Sequence, residues 1–145
     1  MTQEDKELLL KDLTARLPYG VKIELAWWDM GEWICIDTTL EPECIEELLN
    51  DEDGDIEIQP YLFPLSSMTE EQEKEIQEIT GNPDYACIIR KTDGLELWLN
   101  FIDTDPTIWL GTIFEVQDYL NKNHFDYRGL IEKGLAIDAT NLNIY

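Results

Sequence analysis

The order of elements read along the chain is helix, strand, strand, helix, strand, helix, strand, strand, helix, helix, which predicts an α+β fold. The expected architecture is an antiparallel sheet of about five strands, built from two hairpins plus one strand, with four to five helices packed on it. Two strand pairs around short turns, at Asp29-Met30-Gly31-Glu32 and at Thr92-Asp93-Gly94, supply the local hairpins. No regular strand-helix-strand repeat or other fixed period is present, which argues against a parallel sheet or a repeat array. Hydrophobic residues make up 43% of 145 residues and include five Trp, so the composition favours one folded domain over residues 1–145 and excludes disorder despite a net charge of −22.

Leu8, Leu9, Leu13 and Leu17 recur at helical spacing and predict a first helix over residues 3–17, stopped by Pro18-Tyr19-Gly20. Val21, Ile23, Leu25 and Trp27 alternate with Lys22, Glu24 and Ala26, the period of a strand with one wet face. The run Trp33-Ile34-Cys35-Ile36 is apolar on both faces and reads as a more central return strand. Pro42 opens a short second helix to Leu49, with acids at the positive end of its dipole. The solvated turn Asn50-Asp51-Glu52-Asp53-Gly54-Asp55 leads into a third strand at Ile56-Glu57-Ile58, expected to end before Pro60. Tyr61-Leu62-Phe63-Pro64-Leu65 reads as an apolar connector pinned by prolines.

Thr69 and Gln72 have capping-box spacing, with Ser67 and Glu70 as a second register, so a third helix runs to about Thr80. Ala86 to Arg90 and Leu95 to Phe101 flank the Asp-Gly turn of the second hairpin. Ile113, Phe114, Val116, Gln117 and Leu120 fit a fourth helix entered near Thr112, and a short final helix is expected from Tyr127 to Lys133, stopped by Gly134.

The charge is uneven. Residues 23–73 contain no Lys or Arg and sixteen Asp and Glu, from Glu24 to Glu73. Phosphate binding requires cations that release counterions, so this segment excludes direct nucleic-acid binding and suits a partner with a basic surface. A solvated face that confers solubility is the simpler reading of the same carboxylates. The opening MTQEDKELLLKDL is acidic and amphipathic, and no apolar run reaches the roughly 18 residues of a membrane span, so a cytoplasmic location is expected. Cys35, Cys44 and Cys87 are odd in number without a CxxC pair, which implies reduced thiols; those of Cys35 and Cys87 are expected to be packed.

Asp51, Asp53 and Asp55 around Gly54 resemble a calcium loop, but Gly54 is fourth rather than sixth in that register and Leu62 occupies the place of the bidentate Glu. His124, with Asp126 and Arg128 nearby, is the one His-based acid-base candidate; the alternative is that His124 ends a helix and Asp126 caps the next. Ser66 and Ser67 lack the nucleophile elbow, Walker loop or dinucleotide fingerprint that would give them a catalytic or cofactor role, and no cofactor is implied. Trp27, Trp28 and Trp33 bracket the first hairpin, as core or as an aromatic interaction surface. Glu43, Glu46 and Glu47, and Glu71, Glu75 and Glu78, form rows with axial steps of about 4.5–6 Å, comparable with phosphate spacing.

Two stretches carry a resemblance: Pro60-Tyr61-Leu62-Phe63-Pro64-Leu65-Ser66-Ser67-Met68-Thr69, and His124-Phe125-Asp126-Tyr127-Arg128-Gly129-Leu130-Ile131 followed by Lys133-Gly134-Leu135-Ala136. They resemble a family of small uncharacterised proteins of gut anaerobic bacteria and their phages and prophages. The resemblance implies a mobile-element setting and brings no assigned activity. This chain departs by having Phe63 where an Arg is expected, and by ending Asn141-Leu142-Asn143-Ile144-Tyr145 in place of an acidic tail containing Pro and Met.

The resulting expectation is a non-enzymatic acidic accessory protein that binds a partner protein through Glu43, Glu46, Glu47, Glu71, Glu75, Trp28 and Trp33. A duplex-mimicking inhibitor of a nucleic-acid-binding protein, a small enzyme or ligand-binding protein using His124, Asp126 and Arg128, and a calcium-binding module are the alternatives.

Overall fold

The chain begins with helix α1 (Gln3–Arg16), whose N-cap Thr2 accepts a hydrogen bond from Asp5 N–H at 3.1 Å. Leu9 and Leu13 point into the core, and Gly20, at φ 63°, ends the following short 3-10 turn (Leu17–Tyr19). The computed structural model describes the backbone of residues 1–80, 86–91, 94–99 and 106–145, and the side chains of residues 1–79 and 112–145. These residues divide into two compact units, Met1–Leu62 with Asp126–Tyr145, and Phe63–Phe125.

In the first unit, β1 (Lys22–Asp29) and β2 (Glu32–Thr39) pair antiparallel from Asp29 opposite Glu32 to Lys22 opposite Thr39. Met30 and Gly31 turn the chain with φ of 48° and 98°, the doubly left-handed turn that matches the twist of a two-residue hairpin. Helix α2 (Pro42–Asn50) has Pro at its first position and buries Cys44 and Leu48, one turn apart. Strand β3 (Ile56–Pro64) pairs antiparallel with β1, Leu25 opposite Ile58, and parallel with β7 (Ile137–Asp138), Tyr61 opposite Ile137. The core combines Leu9, Leu13, Val21, Ile23, Leu40, Cys44, Leu48, Ile58, Leu62, Leu130 and Ala136.

In the second unit, helix α3 (Glu70–Thr80) is entered through the expected capping box: Gln72 N–H donates to Thr69 Oγ1 at 3.3 Å, and Thr69 N–H donates to Gln72 Oε1 at 2.9 Å. Strands β4 (Ala86–Lys91) and β5 (Gly94–Leu99) pair antiparallel, while Thr92 and Asp93 of their turn lie outside the described residues, as do Gly81-Asn82-Pro83 and the side chain of Cys87. Helix α4 (Pro106–Lys122) buries Val116 and Leu120. Strand β6 (Phe125–Asp126) follows it, its first residue the last of this unit and Asp126 the start of the returning segment of the first. The α+β class and four α-helices are thus present among the described residues.

The structure corrects six expectations. The five-stranded sheet is mixed, ordered β2-β1-β3-β6 with β7 pairing β3, and the second hairpin forms its own two-stranded ladder. Strand β2 is an edge strand, not a central one: Ile36 is exposed because the core on its face gathers over the inner strands, and Trp33 and Cys35 are exposed on the opposite face. The Cys35 thiol is therefore exposed rather than packed. Strand β3 continues through Pro60, because the bond from Trp28 N–H to Asp55 O sets a register in which Ile23 opposite Pro60 is a non-bonded pair, and the pairing with β7 begins at Tyr61, so neither ladder loses an amide. No helix forms over residues 127–133; Gly129, at φ 72°, breaks it, and the Asp126 carboxylate collects the amides of a compact turn instead. The fourth helix also begins earlier than read, at Pro106 rather than near Thr112, where proline occupies the first turn.

Candidate protein-interaction surface

Burial of Cys44 and Leu48 fixes the orientation of α2 and turns Glu43, Glu46 and Glu47 to solvent. These three carboxylates line an open groove of about 620 Å³ with Asn50, Ile56 and the acids Asp51, Glu52, Asp53 and Asp55. Seven of its nine lining residues are acidic and none is basic. A second groove, of about 610 Å³, shares Asp51, Glu52 and Asp53 and adds Lys6, whose ammonium donates to Asp51 O at 2.8 Å.

The turn between them is held by its own carboxylate. Asp51 Oδ1 accepts from Gly54 N–H at 3.1 Å and from Asp55 N–H at 3.0 Å, and Gly54 takes φ 79°. That carboxylate folds the loop, while Asp53 and Asp55 are exposed. Among the described residues no group of three His, Cys, Asp or Glu is arranged to hold a metal ion.

The first hairpin presents the aromatic candidates. Trp28 and Trp33 are directly opposite each other across the ladder, 46% and 43% exposed, with ring centroids 5.7 Å apart in an edge arrangement. They share a sheet face with Cys35 and Asp37, opposite the face on which Ile23 and Ile58 enter the core. Asp37 Oδ1 accepts from Tyr61 O–H at 2.6 Å. Burial first, then the hydrogen bond and negative charge of Asp37 and the charge of Glu24, push the Tyr61 phenol above its ordinary range.

In the second unit, Glu71, Glu75 and Glu78 are exposed on α3, and Glu75 Oε2 accepts from Tyr119 O–H at 2.6 Å. Tyr119 is likewise raised, by burial and then by Glu75 and Glu71. Ser66 is exposed in a 3-10 turn, and Ser67 Oγ donates to Pro64 O at 2.8 Å. His124 ends α4 in the left-handed conformation, φ 58°, its N–H donating to Asn121 O at 3.1 Å.

Asp126 and Arg128, read as candidates beside His124, belong to a buried polar cluster of the first unit. Asp126 accepts from Leu130 N–H at 2.9 Å, Ile131 N–H at 2.8 Å and Arg128 N–H at 3.3 Å, which engages both of its oxygens. Arg16 makes a two-pronged contact with Asp12, Nε to Oδ2 at 2.6 Å and Nη2 to Oδ1 at 3.2 Å, and both residues are 0% exposed. Arg128 Nε lies 3.1 Å from Asp12 Oδ1, an ion pair by distance without hydrogen-bond alignment. Two guanidinium groups thus share one carboxylate, and the Tyr127 ring takes a cation–π contact from each, at 5.5 Å from Arg16 and 4.9 Å from Arg128. Sequence reading missed Asp12, Arg16 and Tyr127; the available signal was the four-residue spacing of Asp12 and Arg16 inside a leucine stripe.

Among the described residues no helix is long and apolar enough to cross a membrane. Comparison of the chain with family models, with curated proteins and with solved structures finds no match.

Proposed function

We propose that this chain is a non-enzymatic accessory protein, phage- or prophage-encoded, that binds a protein with a basic surface in the cytoplasm. The observation that carries this reading is the α2 groove, in which seven acids line one depression with no base among its walls. Fixed carboxylates on a folded wall attract cationic side chains and accelerate their encounter. The exposed Cys35 thiol suits a reducing compartment. The resemblance of the Pro60–Thr69 and His124–Ala136 stretches to proteins of gut anaerobes and their phages supports the mobile-element setting.

The test is retention of a basic partner from host lysate at low and at high salt, repeated with Glu43→Lys, Glu46→Lys and Glu47→Lys combined. Binding is expected to weaken at least about tenfold with the triple reversal and to fall with salt. Binding indifferent to both sinks the reading. Competition by duplex DNA for the captured partner distinguishes a duplex mimic from other acidic ligands.

A further inference from the structure

Strand β2 forms an edge of the main sheet, with β1 as its strand neighbour among the described residues. Its register with β1 runs from Glu32 to Thr39 without a bulge. Antiparallel pairs alternate between those that exchange both backbone bonds and those that exchange none. Two bonds settle which are which: Leu40 N–H donates to Val21 O at 2.9 Å, and Trp28 N–H donates away from β2, to Asp55 O at 2.9 Å. Trp28 opposite Trp33, Ala26 opposite Cys35 and Glu24 opposite Asp37 are therefore non-bonded pairs. The backbone N–H and C=O groups of Trp33, Cys35 and Asp37 point outward from the sheet.

Edges of this kind are ordinarily blunted by lysines, prolines, bulges or a covering element. Glu32–Thr39 contains neither Lys nor Pro, and Trp33, Cys35, Ile36 and Asp37 are exposed. We propose that this edge takes up an extended cationic segment of a partner protein as an additional β-strand. The proposal rests on the reading that the partner is basic and gives that partner a docking mode.

Charge selects the occupant. A second copy would bring −22 against −22, and residues 23–73 offer no Lys or Arg to offset it. A strand with Lys or Arg at alternate positions instead sets one cation opposite Asp37 and another over the exposed face of Trp33. Its intervening side chains lie beside Ile34 and Ile36, on the other face of the sheet.

The full chain is titrated with a peptide of about eight residues alternating lysine and valine, with the same peptide N-methylated at every second residue, and with an alternating glutamate–valine peptide. Amide exchange is followed residue by residue. The lysine–valine peptide is expected to slow exchange at Trp33, Cys35 and Asp37 by about tenfold or more, leaving the already bonded Ile34 and Ile36 unchanged. The N-methylated peptide, and the variant Cys35→Pro, which removes an outward N–H and no ladder bond, are expected to abolish that protection. Asp37→Lys is expected to turn the preference toward the glutamate–valine peptide and provides the test if Cys35→Pro does not fold. Peptide binding without protection of those three amides overturns the strand proposal and leaves the acidic-groove reading, which fails instead when the triple reversal at Glu43, Glu46 and Glu47 changes nothing. Protection that rises with protein concentration in the absence of peptide overturns it in favour of a second copy.

Discussion

Asp12 and the carboxylates of α2 are acids on helices of the same unit, yet the fold treats them in opposite ways. Asp12 is fully buried and contacted by two arginines, whereas Glu43, Glu46 and Glu47 face a groove whose walls hold no base. The first unit contains Lys6, Lys11, Arg16, Lys22, Arg128 and Lys133, and most are committed locally. Lys6 bonds Asp51 O, Lys22 bonds Thr39 Oγ1 at 2.6 Å, Lys133 lies 3.5 Å from Asp5, and both arginines go to Asp12. Lys6 and Lys22 donate to neutral oxygens and keep their charge, but neither lines the α2 groove. The groove is acidic because the bases of this unit lie elsewhere, two of them on buried Asp12.

Breaking the buried side of this contrast has the largest effect. Asp12→Ala leaves two guanidinium groups around an empty site and is expected to destabilise the protein by about 3–5 kcal/mol in denaturant unfolding. Asp12→Asn keeps one acceptor and is expected to cost less. A loss below about 1 kcal/mol for Asp12→Ala would show that the arginines find other partners readily.

Asp126→Ala comes next. It strips the acceptor from the amides of Leu130 and Ile131, one of them buried, and is expected to cost about 2–3 kcal/mol. Loss of protection should concentrate in residues 127–135 of the turn. Uniform loss across the unit would mean that the turn is not an independent device.

These two acids also mark where sequence reading ran out. The local signals were legible: Pro42 opens α2, Thr69 and Gln72 box the start of α3, and the Asp29–Glu32 turn closes a hairpin. Each depends on residues within one turn of each other. Asp12 is answered by Arg128, more than a hundred residues away, and nothing local in the sequence announces that pairing. Pro60 looked like a strand end because a proline cannot donate, and only the pairing register, which makes Ile23 and Pro60 a non-bonded pair and starts the β7 pairing at Tyr61, makes it harmless. In the candidate surface the acids of α2 were legible from their spacing. The openness of the β2 edge was not, because the apolar run Trp33–Ile36 looks the same in a central strand and in an uncovered one.

Alkaline pH probes an intermediate case, the surface carboxylates answered by phenols. Tyr61 donates to Asp37 and Tyr119 to Glu75, and both phenols are raised above the ordinary value of 10.0. Tyr145 is raised to about 12, chiefly by burial. A raised phenol holds its proton more tightly folded than unfolded, so its contribution is complete below pH 10 and is lost as pH rises through the folded value. Stability is expected to be flat approaching pH 10 and to decline above it. Tyr61→Phe and Tyr119→Phe should each shallow that decline, and an unchanged slope in both would remove the phenols from the account.

The smallest change in stability is expected on the exposed side. Reversing Glu43, Glu46 and Glu47 to Lys removes mutual repulsion among solvated charges, and surface pairs of this kind contribute only tenths of a kcal/mol each. Screening beyond about 8 Å at physiological salt reduces even that, so a stabilisation should be visible at low salt and vanish as salt is raised. Partner affinity should move the other way, falling by about tenfold or more, since the partner's cations meet the whole groove. The contrast expected is one of sign: losing buried Asp12 weakens the fold, while losing the α2 carboxylates relieves it slightly. If the triple reversal destabilises the protein at every salt concentration, α2 carboxylates have structural partners after all, and the two regions differ in degree rather than in kind.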